Sequence, residues 1–460
     1  MTPHGVGLLD VGVEGEKIAC LASPGSLTLE GRRVIEAQGK IVVPGGIDPH
    51  VHQLLHIAQH PELNYSSLGP EEDTVGMAYG GVTTHLDFCF LHPGDGFAQS
   101  LEERDARWKG SSMVDYSFHV GLLGEHALSA FEEIPEVVAE GYPSFKVFTL
   151  EIRKGFRLDF GRIGLAMERI AASGGIVAVH GEDDDLVRFN YEKAEAEGRT
   201  EGWRIAEVRS KLSEQLAFWR TILLAEAKRA AVYFVHTSAS EGVEAIRRAR
   251  ARGLPVYGET LHHYACRTAE DYRAPRGYCH HTYPSLKYPE DRDALWGGLL
   301  DGTLSATATD ELPTSLEVKL KGETIRNLTG GNLGAEARMG VVYTEGVSRR
   351  GMSLERFVDV TSANAARIFG LYPRKGALAV GSDADLAILD PSIHRALRAE
   401  DFHVSDYSPW EGWEVHAWPV TTILRGKVLV EGGALQEGAA GSGRRVPRKI
   451  QRQVLERPVC

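Results

Sequence analysis

The middle of this chain alternates short β-rich runs with segments of helical periodicity, and that rhythm limits its folds more than any other feature. Eight such runs can be marked: Lys40 to Ile47, Val82 to Phe90, Asp115 to Leu123, Ser144 to Leu150, Gly175 to His180, Ala231 to His236, Leu254 to Thr260 and Leu304 to Asp310. Between them apolar residues recur at three- and four-residue spacing, as in Leu101 to Trp108, Gly164 to Ala172, Leu212 to Ala225 and Gly242 to Arg250. That spacing buries one face of a helix. Strands joined by crossover helices run parallel, so the pattern predicts an α/β chain folded as a closed (β/α)8 barrel of the TIM type.

The two ends read differently. Val11 to Val43 and Leu378 to Gly433 are rich in Val, Ile, Leu and Gly, with turn signals at Glu14-Gly15 and Gly381-Ser382. They predict a smaller β-sandwich domain built from both chain ends. The expected division is 1–44 and 376–435 for the sandwich, 45–375 for the barrel and 436–460 for a basic C-terminal tail, with Met352 to Leu371 as the last helix leading out. The tail carries Arg444, Arg445, Arg448, Lys449, Arg452 and Arg457 and reads as a solvated arm.

A net charge of -12 argues against nucleic acid or an anionic membrane as partner. No run approaches the roughly 20 apolar residues of a membrane span, and Met1 to Glu16 lacks a basic start followed by an apolar stretch, so a cytoplasmic protein is expected. Five cysteines without a CxxC spacing suggest neither a disulfide framework nor a thiolate zinc site.

Fourteen of the 18 histidines lie between His50 and His281, many at the ends of expected strands. In a barrel the chemistry projects from those C-terminal ends. His50 and His52, two apart on an extended chain, point to one side and read as a chelating pair. His180, His236 and Asp310 end three further runs, and Lys146 sits inside an otherwise apolar one. Each has an ordinary alternative: a strand-end histidine can be structural, Asp310 can cap a helix, and Lys146 can snorkel to solvent. Their coincidence at one end of one barrel favours a shared site. A buried neutral lysine can add carbon dioxide, and the resulting carbamate can bridge two cations. His50, His52 and Asp310 would then hold one ion, and His180 and His236 the other.

Several stretches carry a family resemblance: Gly45-Gly46-Ile47-Asp48-Pro49-His50-Val51-His52, Gly80-Gly81-Val82-Thr83-Thr84, Ser144-Phe145-Lys146-Val147-Phe148, Val179-His180-Gly181-Glu182 and Gly258-Glu259-Thr260. Leu371-Tyr372-Pro373-Arg374-Lys375-Gly376 and Val380-Gly381-Ser382-Asp383-Ala384-Asp385-Leu386 continue it, in order, across about Val11 to Gly433. The chain resembles the dihydropyrimidinase and D-hydantoinase group of the amidohydrolase superfamily, which is related also to allantoinase. The resemblance implies a hydrolase of cyclic amides, imides or ureides with two divalent ions, normally Zn2+, held by His50, His52, carboxylated Lys146, His180, His236 and Asp310. It implies Asp310 as general base and acid, and a homotetramer.

The chain departs from that group around the substrate. Glu151 stands where a tyrosine is usual, Tyr283-Pro284-Ser285-Leu286-Lys287 replaces a Ser-Pro-Pro-Leu-Arg stretch, Glu311 replaces a histidine, and Thr329-Gly330-Gly331-Asn332 replaces an Asn-Gly-Gly region. Glu151, Tyr283, Asn332 and His56 are therefore the candidate substrate contacts, and a ring other than dihydrouracil is expected. His60, Tyr65 and His85 either line the pocket or are ordinary polar residues. The rival readings are a metal-free scaffold on this fold and a hydrolase of linear amides or exocyclic amines.

Overall fold

A computed structural model describes residues 2–27 and 33–460. Its centre is an eight-stranded sheet in which each strand pairs in parallel with the next: Gly46–Asp48, Val82–Leu91, Asp115–Leu122, Ser144–Phe148, Ile176–His180, Val232–Phe234, Val256–Leu261 and Ala306–Ala308. The last strand meets the first through the parallel bridge of Val51 with Glu311, while Thr309 Oγ1 donates to Asp48 Oδ2 at 2.7 Å. The sheet is thereby a nearly closed (β/α)8 barrel. Amphipathic helices such as Phe97–Trp108, Phe160–Ala172, Lys211–Lys228 and Ser240–Ala251 cover its outside.

The second sheet is antiparallel, in the order Ala434–Leu435, Lys427–Glu431, Trp418–Leu424, Leu386–Asp390 and Ile41–Pro44. A ribbon of Asp10–Glu14 with Lys17–Ala22 lies against it, Ile18 packing with Leu378, Leu386, Ile423 and Val428. Both chain ends thus build the smaller domain.

One apolar run serves both sheets. Lys40 to Ile47 reads as a single strand, yet Ile41–Pro44 belongs to the sandwich and Gly46–Asp48 opens the barrel. The Gly45 amide donates to Asp385 O at 2.9 Å, and the Gly46 amide turns to Gly81 O at 2.8 Å. A Cβ on Gly45 would lie 2.1 Å from Thr83 Oγ1, so only glycine passes this junction.

The C-terminal segment is not a solvated arm. Val446, Ile450 and Val454 are buried against Ile47, Leu86, Ile176, Ala178, Tyr233, Tyr257 and Phe369, closing the end of the barrel opposite the strands' C-termini. The buried Arg448 guanidinium donates to Ser117 Oγ at 2.9 Å, Ser144 Oγ at 2.8 Å and the Phe118 carbonyl. Apolar residues interleaved with the basic ones supply burial that a charge count does not register. The helical segment expected at Met352 to Leu371 is seen as Leu354–Val358, a wider turn at Asp359–Ala363, and Asn364–Ile368. No helix among the described residues is long and apolar enough to cross a membrane.

Candidate active site

Six side chains singled out in the sequence meet at the C-terminal mouth of the barrel. His50, His52, Lys146, His180, His236 and Asp310 all line one open cavity of about 540 Å³. His50 and His52 follow the first strand, Lys146 is central in the fourth, His180 ends the fifth, and His236 and Asp310 lie just past the sixth and eighth. His236 and Asp310 adopt positive φ, at 38° and 52°. Such left-handed geometry is costly for residues with a Cβ, and it turns these side chains off the strand direction into the mouth.

Three acceptor atoms converge most closely. His50 Nε2 is 3.2 Å from His52 Nε2 and 3.2 Å from Asp310 Oδ1, and His52 Nε2 is 3.1 Å from the same oxygen. The opposite nitrogen of His50, Nδ1, lies 2.6 Å from Glu259 Oε1, which fixes the ring proton there and leaves Nε2 a lone pair. Burial pushes the His50 imidazole well below its ordinary pKa, so a second proton is not the natural occupant of this gap. Burial also works against charge on Asp310, but His50, His52 and the Thr282 hydroxyl, 2.7 Å from Oδ2, outweigh it and keep the carboxyl ionised. Two imidazole lone pairs and a carboxylate at such spacing suit one cation at roughly 2.0–2.2 Å from each.

The second half is built from His180, His236 and Lys146. The two rings stand with centroids 4.4 Å apart, and His236 is 5.3 Å from His50. Burial lowers His180 to about 4 and His236 further, so both are neutral donors at pH 7. Lys146 is 1% exposed, places its Nζ 5.3 Å from the Phe88 ring centroid and 5.0 Å from that of Phe148, and its side chain makes no hydrogen bond to the described residues. Burial lowers its amine to about 7, partly offset by Asp310 and Glu259. A free amine near neutral pH is the form that can take up carbon dioxide. The donor set therefore fits two divalent ions joined by a lysine carbamate. A second trio of acidic groups, Asp115, Asp383 and Asp385, is already served by Lys375 Nζ at 2.7, 3.4 and 2.5 Å.

The amidohydrolase family model matches residues 41–429, from the strand Ile41–Pro44 into Lys427–Glu431. This chain belongs to the amidohydrolase family. It is 32% identical over 432 residues to a D-hydantoinase of Geobacillus stearothermophilus, covering 92% of this chain and 89% of that one. A D-hydantoinase of Streptomyces coelicolor is 33% identical over 447 residues, covering 95% and 94%. Among solved structures, the dihydropyrimidinase of Brevibacillus agri superposes with a TM-score of 0.90 at 32% identity over 96% of both chains.

In this amidohydrolase the candidate substrate contacts scatter. Tyr283 lines the cavity, and its hydroxyl donates to Leu328 O at 3.0 Å. Glu151 is exposed and lies outside the cavity lining; its carboxylate accepts the amides of Gly155 and Arg157 and organises that loop. The carboxylate thus does turn work at this position rather than facing a substrate. His56 is exposed and also outside the lining, offering its carbonyl to Arg153 Nη1 at 2.6 Å. Asn332 is buried behind the cavity with its side-chain amide unpartnered. His85 is buried away from the mouth beside Tyr116.

Several supporting residues of this amidohydrolase escaped the sequence reading. Glu259 takes His50 Nδ1, the Tyr233 hydroxyl at 2.8 Å and the His236 amide at 3.1 Å. Glu182 holds His180 Nε2 at 2.8 Å and is itself gripped by Arg209 through Nε at 3.1 Å and Nη2. Both carboxylates sat inside quoted motifs, which was the available signal. Gln59, Arg153, Thr282 and the apolar Leu55, Phe90, Ile152, Phe156 and Leu312 complete the wall.

Proposed function

We propose that this chain opens a cyclic amide, imide or ureide by hydrolysing its C–N bond at a binuclear metal centre. His50, His52 and Asp310 would hold one divalent ion, His180 and His236 the other, and Lys146, as its carbamate, both; zinc suits these imidazole and carboxylate donors. The observation that carries the reading is the convergence, at 3.1–3.2 Å, of two imidazole nitrogens and a carboxylate oxygen, with the His50 ring proton held on the far side by Glu259. The likeness to D-hydantoinases over nine-tenths of the chain supports it.

When bound, such ions make a water acidic near neutral pH and polarise the carbonyl it attacks. The protein's own groups do the proton work. Asp310, oriented by Thr282, is placed to accept a proton from the attacking water and to deliver it to the ring nitrogen as the C–N bond breaks. The water oxygen ends in the new carboxyl group, one water proton stays on the nitrogen, and the other leaves to solvent as that acid ionises. Glu259 and Glu182 hold His50 and His180 in the tautomers that present lone pairs to the site. The substrate is a ring other than dihydrouracil, because position 151 supplies no phenol and its carboxylate is engaged by the loop.

Protein prepared without chelators and supplied with zinc and bicarbonate should carry two ions per chain and open at least one class among hydantoins, dihydropyrimidines, allantoin, cyclic imides and lactams. Chelation should abolish that turnover. Fully loaded protein that opens none of these rings sinks the proposal, and efficient hydrolysis of dihydrouracil overturns its substrate half.

A further inference from the structure

One charged group in the cavity has no counterpart. Arg153 follows the fourth barrel strand and lines the same cavity as the six mouth residues, between Ile152 and Phe156. Its Nη1 is tied to His56 O at 2.6 Å, and its guanidinium carbon stands 5.5 Å from the Phe156 ring centroid. Among the described residues its buried Nε has no partner and no protein group accepts from its Nη2. No carboxylate pairs with it among the described residues. Its neighbours differ: Arg157 pairs with Asp184 at 3.2 Å, and Arg209 pairs with Glu182 while stacking over Tyr283.

We propose that Arg153 is a specificity-determining residue that seats a carboxylate carried by the substrate as a substituent on its ring. The proposal rests on the cyclic-amide reading of the same site. A half-buried arginine whose Nε is withdrawn from water without a partner carries an unmet hydrogen bond, and a ligand carboxylate removes that cost when it binds. With Nη1 anchored, the remaining Nε and Nη2 edge is the planar fork that two carboxylate oxygens match. Burial lowers the Arg153 pKa, and Tyr283 is the one titratable neighbour acting against that, so no protein anion competes for the fork. Beside the apolar Leu55, Phe90, Phe148, Ile152 and Phe156, the outer lining offers the uncharged Gln59 and Tyr283, which leaves Arg153 as the cation there able to discriminate an acid from a neutral isostere. The carboxylate created by ring opening forms at the His50, His52 and Asp310 end, so the two acidic ends of a product would be held by different parts of the cavity.

The test is calorimetric titration of metal-loaded protein with N-carbamoylaspartate and with N-carbamoylasparagine, which differ only in the side-chain acid. The wild type should bind the acid at least tenfold more tightly than the amide. That ratio should fall below threefold in Arg153→Met and lie between in Arg153→Lys, which keeps the charge and loses the fork; thermal melts confirm folding, and the Lys variant serves if the Met variant is unfolded. Equal affinities in the wild type, a ratio that survives in both variants, or no binding of either ligand overturns the proposal. Hydrolysis of hydantoin-5-acetic acid and its primary amide, run in parallel, separates the two readings. Ring opening without an acid preference defeats the Arg153 assignment alone, and a calorimetric preference without opening of either ring defeats the hydrolase reading alone.

Discussion

Replacing Glu259 by glutamine tests how far the metal-binding face depends on a group that does not enter it. The carboxylate receives three donors: His50 Nδ1 at 2.6 Å, the Tyr233 hydroxyl at 2.8 Å and the His236 amide at 3.1 Å. Burial pushes it up to about 7, with Tyr233 and the His236 amide pulling the other way. Glutamine can still accept from His50 and His236 through its carbonyl oxygen, while its NH2 faces a hydroxyl that can accept in turn. One buried donor, the Tyr233 O–H, loses its acceptor, so the fold should lose about 1–3 kcal/mol. What disappears is the negative charge that makes His50 a stronger base at Nε2. Removing a partner of this kind costs about 10- to 100-fold in metal affinity, or about 1.4–2.8 kcal/mol. Alanine would instead strand three buried donors at about 1–3 kcal/mol each and confuse unfolding with metal loss. Competition with a chromophoric chelator, followed beside the melting temperature of chelated protein, reads the two effects separately. Wild-type metal affinity in Glu259→Gln, or a melting loss as large without metal as with it, would refute this account of His50.

Asp310→Asn should keep its metal, because the amide oxygen still faces His50 and His52, and lose most of its turnover, because it can no longer take a proton; unchanged kcat removes Asp310 from the proton path. Lys146→Ala should lose metal and activity together, with partial recovery on adding a short carboxylate, and a fully loaded, active variant would exclude the carbamate. Arg209→Met strands the buried Glu182 carboxylate and should destabilise the protein by about 3–5 kcal/mol in denaturant melts. Although burial works against its charge, Arg209 and His180 hold Glu182 at about 2 against 4.5 for an ordinary carboxyl. Its contribution is therefore complete above pH 4.5 and is lost as pH falls toward 2, and acid melts of wild type against Arg209→Met should converge across that window.

The barrel was legible because each parallel strand is buried on both faces and its apolar run survives in the sequence as a block. Five of the six mouth residues were legible for a related reason: they fall where such blocks end, and strand ends are where a barrel places polar chemistry, while Lys146 stood out as a lone charge inside a block. Junctions were harder. Nothing in the composition of Lys40 to Ile47 marks the handover at Gly45, since both sheets bury the same kinds of side chain; the close approach of Thr83 that demands glycine is a tertiary fact. Glu259 and Glu182 lay in recognised motifs, yet their roles depend on His50 and Arg209, which lie 209 and 27 residues away in the chain. Glu151 was open between substrate and solvent in the sequence, since a carboxylate there would repel an anionic oxygen unless protonated. Its alignment with a substrate-binding position suggested contact, while a two-amide turn decided where it points.

The burial of Val446, Ile450 and Val454 beneath the strands sets an order on biosynthesis. These residues follow every strand of the cylinder in the chain, so any barrel that assembles before they are made leaves uncovered the apolar underside they close. A bulky C-terminal fusion should therefore slow maturation while leaving the far-off mouth chemically untouched.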